Sequence, residues 1–135
     1  MTMGRFDVAL QALAALLPRV GANWSGSKWE WDDRLTCALS TVATTHQAQA
    51  RAALTAVLPT VWTAATLGEA PPLIKQICAR TGDLLPGQLA FGAELPEGVF
   101  AYALWWPWGN GANVSVRIGA SHESVVPGVR AAFGL

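Results

Sequence analysis

The sequence predicts a single α+β domain over residues 1–135, in which helices pack on an antiparallel sheet of about five strands. Apolar side chains recur at helical spacing in some segments and alternate with polar side chains in others. Hairpin turn signals stand in place of the long crossovers of a parallel sheet. The expected order of elements is α-β-β-α-α-β-β-β-α. A chain of 135 residues can bury roughly two-thirds of its unfolded surface, so folding requires no disulfide or metal.

The first third of the chain predicts a helix followed by a hairpin. Residues 4–17 carry an apolar stripe at helical spacing, and Pro18 ends the pattern. The stripe consists of Phe6, Leu10, Leu13 and Leu17. Short alternating runs then flank the Asp pair at 32–33, a residue type that favours turns. This pattern predicts a β-hairpin whose first strand carries Trp29 and Trp31 on one face.

The middle of the chain predicts two helices. The alanine-rich segment 46–59 has apolar residues at helical spacing and ends at a proline. Residues 60–66 fit either a short strand or a continuation of that helix beyond a kink. The two prolines at 71–72 suit the first turn of the second helix, and Gly82 suits its end.

The last third predicts three strands and a closing helix. Residues 87–93 alternate in polarity, and residues 99–108 form a nearly continuous apolar strand. Residues 113–120 alternate again, with valine and isoleucine on one face. A short helix over 124–133 is expected to pack back on the sheet.

The Asn-Gly pair at 110–111 predicts the connection between the last two strands. Asn-Gly between apolar runs is typical of a two-residue type I′ turn, which requires positive φ at both residues. A turn centred there places Trp105 opposite Val116. On the other face of the hairpin, it places Trp106 opposite Ser115.

Composition excludes several classes of partner. Nine basic residues balance nine acidic ones and are scattered along the chain, whereas nucleic-acid binding leaves a basic patch. We therefore expect no nucleic-acid partner. No apolar run approaches the ~20 residues of a membrane span. The start of the chain lacks a signal-peptide pattern, which predicts a cytoplasmic protein, and the alanine and arginine usage suggests a bacterial one.

The histidines and cysteines offer few candidates for chemistry. His46 and His122 are the two histidines of the chain, which excludes a histidine-rich metal site. His122 lies in a Ser-His-Glu-Ser segment, yet a polar loop that caps the last helix explains it more simply than a catalytic role. Cys37 and Cys78 have neither metal-ligand nor redox spacing, so both are expected to be free thiols in the core.

One acidic cluster, formed by Glu30, Asp32 and Asp33, is the remaining candidate for acid or base chemistry. Two carboxylates can share such work when a pocket separates their pKa values. Turn formation explains these residues more simply, because Asp is common in hairpin turns. We therefore assign no catalytic residue, no metal and no cofactor from the sequence.

Seven tryptophans, six of them in two groups, are the strongest functional signal. The groups are Trp24, Trp29 and Trp31, and Trp105, Trp106 and Trp108. Neighbours on a strand point to opposite faces, so Trp105 and Trp106 cannot both face one core. Pro107 cannot donate to a β-ladder, which predicts that this end of the strand lies at a sheet edge. Charged residues make up 13% of the chain, so few charges are present to guard such an edge.

We therefore expect a non-enzymatic protein–protein interaction domain, an adaptor, chaperone-like or assembly component, that uses a tryptophan-rich sheet edge. The candidate binding residues are Trp29, Trp31, Trp106, Trp108 and Arg117. The partner is another protein or a second copy of the chain, because zero net charge removes repulsion between copies. One alternative is a small-molecule-binding domain with an indole-lined pocket. A second alternative function is that of a small hydrolase or transferase that uses His122 or the acidic cluster.

Overall fold

A computed structural model describes residues 4–135, so residues 1–3 of the predicted domain lie outside the described part. Within that part the helices are α1 Asp7–Leu16, α2 Pro18–Ala22, α3 Gln47–Val57, α4 Pro72–Ala79 and α5 Val126–Ala132. The strands are β1 Glu30–Asp32, β2 Cys37–Ala43, β3 Thr60–Thr63, β4 Leu89–Glu94, β5 Phe100–Pro107 and β6 Asn113–Ala120. The predicted α+β class is confirmed.

The described residues form one six-stranded sheet in the order β1-β2-β6-β5-β4-β3, and every neighbouring pair is antiparallel. The predicted sheet of about five strands lacks β3. This strand lies in residues 60–66, for which the sequence allowed either a strand or a continuation of the preceding helix. Residues 60–63 form a strand because Trp62 pairs with Ala90 of β4 and packs in a buried cluster with Ile74 of α4.

The predicted first helix ends before Pro18 as expected, but a second short helix that was not predicted follows it. Helix α1 ends at Leu16, and Pro18 then occupies the first turn of the short helix α2. Proline is tolerated at that position because the amide hydrogen it lacks has no partner within the helix. The proline therefore ends one helix and begins another, where the sequence predicted an end alone.

The turn between β5 and β6 differs from the predicted two-residue type I′ turn. The strands end at Pro107 and begin at Asn113, and the Gly111 N–H donates to the Trp108 carbonyl over 3.1 Å. Gly111 has a φ of 71°, whereas Asn110 does not adopt positive φ. The Asn110 side chain accepts a hydrogen bond from the Ala112 N–H at 2.9 Å, so it stabilises a wider loop.

The register predicted for this hairpin is nevertheless confirmed. Trp105 lies opposite Val116 and Trp106 opposite Ser115. The residues between the last paired positions of β5 and β6 extend equally far on both sides of the predicted two-residue turn, so the observed loop and that turn have the same centre. The pairing of the strands is therefore unchanged although the turn type is wrong.

The two faces of the sheet are covered unequally. Helices α1, α2, α3 and α5 contribute to a buried cluster on one face, which includes Trp105 and Val116 of the hairpin. Helix α4 packs on the other face against Tyr102, Leu104 and Ala90. This second cluster reaches β3, β4 and β5 but not the same face of β1, β2 and β6.

We call the uncovered part of that second face the open face. It consists of Asp32, Leu39, Thr41, Trp106, Ser115 and Arg117, all partly exposed. Alternation along the strands places these side chains opposite the helix-covered core. Within residues 4–135, no helix is both long and apolar enough to cross a membrane.

Candidate functional site

Arg117 lies at the centre of the open face, between a ring and a carboxylate. Its guanidinium carbon is 4.5 Å from the centroid of the Trp106 ring, and its Nε donates to Asp32 Oδ2 at 3.2 Å. The side chains of Arg117 and Asp32 are 12% and 10% exposed, so this ion pair is largely shielded from solvent, whereas the pair of Arg5 and Glu97 is exposed. The pair ties β1 to β6 and holds the cation over an indole of β5.

The Asp32 carboxylate also closes the hairpin turn. Its Oδ1 accepts hydrogen bonds from the N–H groups of Arg34 at 2.9 Å and Leu35 at 3.3 Å. Burial raises the pKa of Asp32, but the hydrogen bonds from Arg117 and from these two N–H groups outweigh it and leave the pKa lowered. Asp32 therefore remains charged and acts as a turn former and an anchor for Arg117.

A cleft opens beside this cluster, between the β1–β2 turn and the end of α4. Its volume is about 450 Å³. It is lined by Arg34, Leu35, Arg80, Thr81 and Trp106. Arg34 and Arg80 are exposed, and neither forms an ion pair with any described residue. The cleft thus combines two unpaired cations with the apolar surface of a leucine and an indole.

Two residues that follow the lining segments of the cleft closely along the chain, but do not line it, lie in the left-handed region. Thr36 has a φ of 50° in the β1–β2 turn, and Asp83 has a φ of 62° in the loop after α4. A β-branched residue rarely adopts this conformation, and such strain costs on the order of 1–3 kcal/mol. Residues held in this way concentrate at binding sites. Thr36 is the stronger indication, because Asp tolerates the conformation better.

Trp106 and Trp108 come together with Arg117 as the sequence predicts. Trp108 is 43% exposed, and its indole N–H donates to Ser115 Oγ at 2.8 Å. Ser115 is the residue that pairs with Trp106 across the hairpin. The indole N–H of Trp106 is buried and has no acceptor among the described residues. Three of the five predicted binding residues therefore form one surface.

The other two predicted binding residues lie on the opposite side of the sheet. The Trp29 ring is 9% exposed and packs 4.7 Å from Trp24 and 4.5 Å from Phe133, measured between ring centroids. Trp31 pairs with Ala38 of β2 and is covered by the Arg130 guanidinium at 5.2 Å. Trp29 belongs to the helix-covered core and Trp31, which is partly buried, packs against it, so neither is part of the candidate site.

The predicted sheet edge at Pro107 is corrected in one respect. Strand β5 lies inside the sheet, between β6 and β4. Because β4 begins at Leu89 opposite Trp105, the last two residues of β5, Trp106 and Pro107, pair with β6 alone and are unpaired on the β4 side. This end of β5 is therefore a local edge, as predicted from Pro107, although β5 as a whole is not an edge strand.

The candidate catalytic groups are engaged in structural contacts. His122 Nδ1 accepts from the Ser124 N–H at 3.1 Å, and its ring stacks on Phe6 at 4.2 Å. Ser121 Oγ accepts from the Phe100 N–H at 2.8 Å. The described residues contain no hydrogen bond from His122 to a serine hydroxyl or a carboxylate. His122 therefore caps the 3-10 turn Glu123–Val125 that leads into α5, whereas α5 itself begins after Val125 without a side-chain cap, so the predicted cap of the last helix is confirmed only for the turn before it.

The acidic cluster and the thiols are likewise accounted for by structure. Glu30 and Asp33 are exposed, and residues 4–135 contain no group of three or more His, Cys, Asp or Glu residues that could hold a metal. Cys37 and Cys78 are free and buried, as the sequence predicts. Burial raises the pKa of Cys37 to about 12 and that of Cys78 to about 11, so neither thiol is ionised at neutral pH.

Sequence reasoning missed the residues that line the cleft with Trp106. Arg34 lies in the turn after β1 and Arg80 directly follows α4, far apart along the chain. The Asx turn at 32–35 could have placed Arg34 at a hairpin tip. No local pattern could have placed Arg80 beside it, because their proximity depends on where α4 crosses the sheet.

No protein-family model, no curated protein and no solved structure shows significant similarity to the chain. The open face and the cleft beside it are therefore the features that indicate a function.

Proposed function

We propose that this chain is a non-enzymatic protein–protein interaction domain that binds a partner protein through the open face. The observation that carries the proposal is the Arg117 guanidinium held over the Trp106 ring next to the exposed Trp108. Tryptophan and arginine dominate binding hot spots, because each combines a large contact area with directed hydrogen bonds. The other face of the sheet is already covered by helices.

The rigidity of this surface also supports a binding role. Arg117 is held by Asp32 and Trp108 by Ser115, so these side chains lose little conformational entropy when a partner binds. The groups that suggested an enzyme have other contacts: His122 caps a 3-10 turn, and Asp32 holds Arg117. We further propose that the protein acts in the cytoplasm and that it is bacterial, as its alanine and arginine usage suggests.

Small-molecule binding is the second candidate, on the strength of the 450 Å³ cleft beside Trp106. That volume falls within the range of ligand pockets. The lining contains one indole, Trp106, rather than the ring of indoles that the sequence suggested. Trp106 belongs to both the cleft and the open face, so a large partner could contact both at once.

Co-purification from the cells that express the chain tests the proposal. Trp108→Ala removes the exposed indole that borders the open face at Ser115, and Val8→Ala is the matched control on α1, where Val8 is 46% exposed. We expect one protein to be recovered with the wild type and with Val8→Ala but to be lost with Trp108→Ala. The same order of affinities should hold for that protein after purification. Recovery that is equal for all three chains would contradict the proposal.

A further inference from the structure

The cleft beside Trp106 has a composition that selects a particular kind of partner segment. Arg34 and Arg80 supply two exposed guanidinium groups, and Leu35 and Trp106 supply apolar surface between them. Guanidinium groups form bidentate hydrogen bonds with carboxylates, and their planar geometry adds specificity. An indole or leucine side chain provides contact area for an apolar neighbour of such a carboxylate.

The acidic residues near the cleft leave both cations available. Asp32 already accepts from Arg117 and from two backbone N–H groups. Asp33 and Asp83 are exposed and do not approach Arg34 or Arg80 within ion-pair distance in the described residues. No acidic side chain lines the cleft. A ligand that brought its own negative charges would therefore meet a complementary surface.

We propose that this cleft binds an acidic segment of the partner protein, with carboxylates at Arg34 and Arg80 and an apolar side chain against Leu35 and Trp106. The inference rests on the proposed function and adds the chemistry of the partner. A nucleic-acid strand fits less well, because its phosphates require a longer basic surface than two unpaired arginines provide.

A peptide titration monitored by NMR tests this inference. The probes are an end-blocked Glu-Glu-Leu-Glu-Glu peptide and its Gln-Gln-Leu-Gln-Gln counterpart, each added to the isotope-labelled full chain. The Trp106 indole N–H, assigned with a Trp106→Phe variant, reports on the cleft. We expect saturable shifts there with the glutamate peptide, at least about fivefold weaker binding of the glutamine peptide, and weaker binding as salt is raised.

Variants locate the binding. Arg34→Gln and Arg80→Gln should each weaken binding of the glutamate peptide about threefold, since exposed ion pairs contribute modestly. Arg19→Gln is the matched control, because Arg19 is an exposed arginine on α2, on the helix-covered side. It should leave the affinity unchanged. Equal binding of the two peptides, or no saturable shift in the cleft, would overturn the inference.

Two further outcomes identify a different occupant and would also overturn the inference. An oligouridine RNA that shifts the same resonances at lower concentration than the glutamate peptide would indicate a nucleic acid. A dimer that is lost in Arg34→Gln and Arg80→Gln would indicate a second copy of the chain. The two proposals fail separately. If the glutamate peptide binds but Trp108→Ala loses no partner protein, the proposed function is contradicted. If Trp108→Ala loses a partner protein but the glutamate peptide does not bind, the inference of an acidic segment is contradicted.

Discussion

The guanidinium carbon of Arg117 lies 4.5 Å from the centroid of the Trp106 ring, and its Nε lies 3.2 Å from Asp32 Oδ2. This stack joins β1, β6 and β5, which supply one residue each. The ring is therefore positioned by a buried charge that is itself held by a hairpin turn. Changes at Asp32 should consequently affect both the stability of the fold and the shape of the open face.

Asp32→Asn should lower the free energy of unfolding at neutral pH by about 2–4 kcal/mol, because it leaves the Arg117 charge buried without a counter-ion. Asp33→Asn is the matched control, since Asp33 is exposed in the same turn. It should cost well under about 1 kcal/mol. Urea unfolding of the three proteins measures the difference, and similar values for both variants would contradict the assigned role of the ion pair.

The pH dependence of stability should report on the same carboxylate. The pKa of Asp32 is lowered in the folded state, so its contribution is complete above the unfolded value of about 3.9. That contribution is lost as the pH falls below this value through the folded pKa. The wild type should therefore lose more stability than Asp32→Asn over this acidic range. Parallel curves would show that Asp32 is not stabilised as an anion.

The neighbouring tryptophans should differ in their contribution to folding. Trp105 is 2% exposed in the core, so Trp105→Ala should cost about 3–5 kcal/mol and leave the chain largely unfolded. Trp108 is 43% exposed, so Trp108→Ala should cost about 1 kcal/mol or less. Trp106→Ala should fall between them. Thermal melts compare the variants, and a Trp106→Ala melt as low as that of Trp105→Ala would argue against a binding role for Trp106.

The buried thiols should not react with a thiol reagent in the native protein. They should also make the folded state less stable at alkaline pH. Burial raises the pKa of Cys37 to about 12, whereas the unfolded thiol ionises near pH ~8.5. The unfolded state therefore releases this proton first, and stability should fall as the pH rises above the unfolded value. Both thiols should react with a thiol reagent in denaturant and resist it in buffer. Cys37→Ala should show a shallower alkaline loss of stability than the wild type.

Gly119→Ala should destabilise the sheet through a clash with Tyr102. A Cβ atom at Gly119 would lie 2.5 Å from the Tyr102 hydroxyl oxygen, and Tyr102 is 3% exposed. The ring has little room to move, so the expected cost is about 1–3 kcal/mol. Gly68→Ala is the control, because a Cβ there would meet nothing within 4 Å. Equal unfolding free energies for the two variants would show that Tyr102 can move aside.

The chain should self-associate when no partner is present. Its net charge is zero, and Trp108 is an exposed indole with few charged neighbours to protect it. Sedimentation at micromolar concentration should detect a dimer or larger species that Trp108→Ala weakens and Arg34→Gln leaves unchanged. A partner protein that binds the open face should dissociate this dimer or larger species. A monomer across the whole concentration range would contradict this expectation.

Local patterns predicted much of the secondary structure, and the exceptions have local causes. Alternation placed Trp105 and Trp106 on opposite faces, and the centre of the turn determined their register with Val116 and Ser115. The turn type was wrong because the Asn110 side chain stabilises a wider loop than its backbone preference suggests. Residues 60–63 were ambiguous, because so short an apolar run fits either a helix end or a strand.

Alternation along a strand was enough to predict which side chains share a face, because it depends only on backbone geometry. It also favoured Trp105 as a core residue, since Trp105 shares its face with Val116 and Ile118, and Trp106 as a partly buried one opposite Ser115, and both are observed. Alternation could not show that Trp29 is buried and that Trp31 packs against the helix-covered core, because their neighbours come from helices distant along the chain. The tertiary structure alone placed Trp106 beside a cleft. It also brought Arg34 and Arg80 to the same cleft, because strand order and the path of α4 arise from packing across the whole chain.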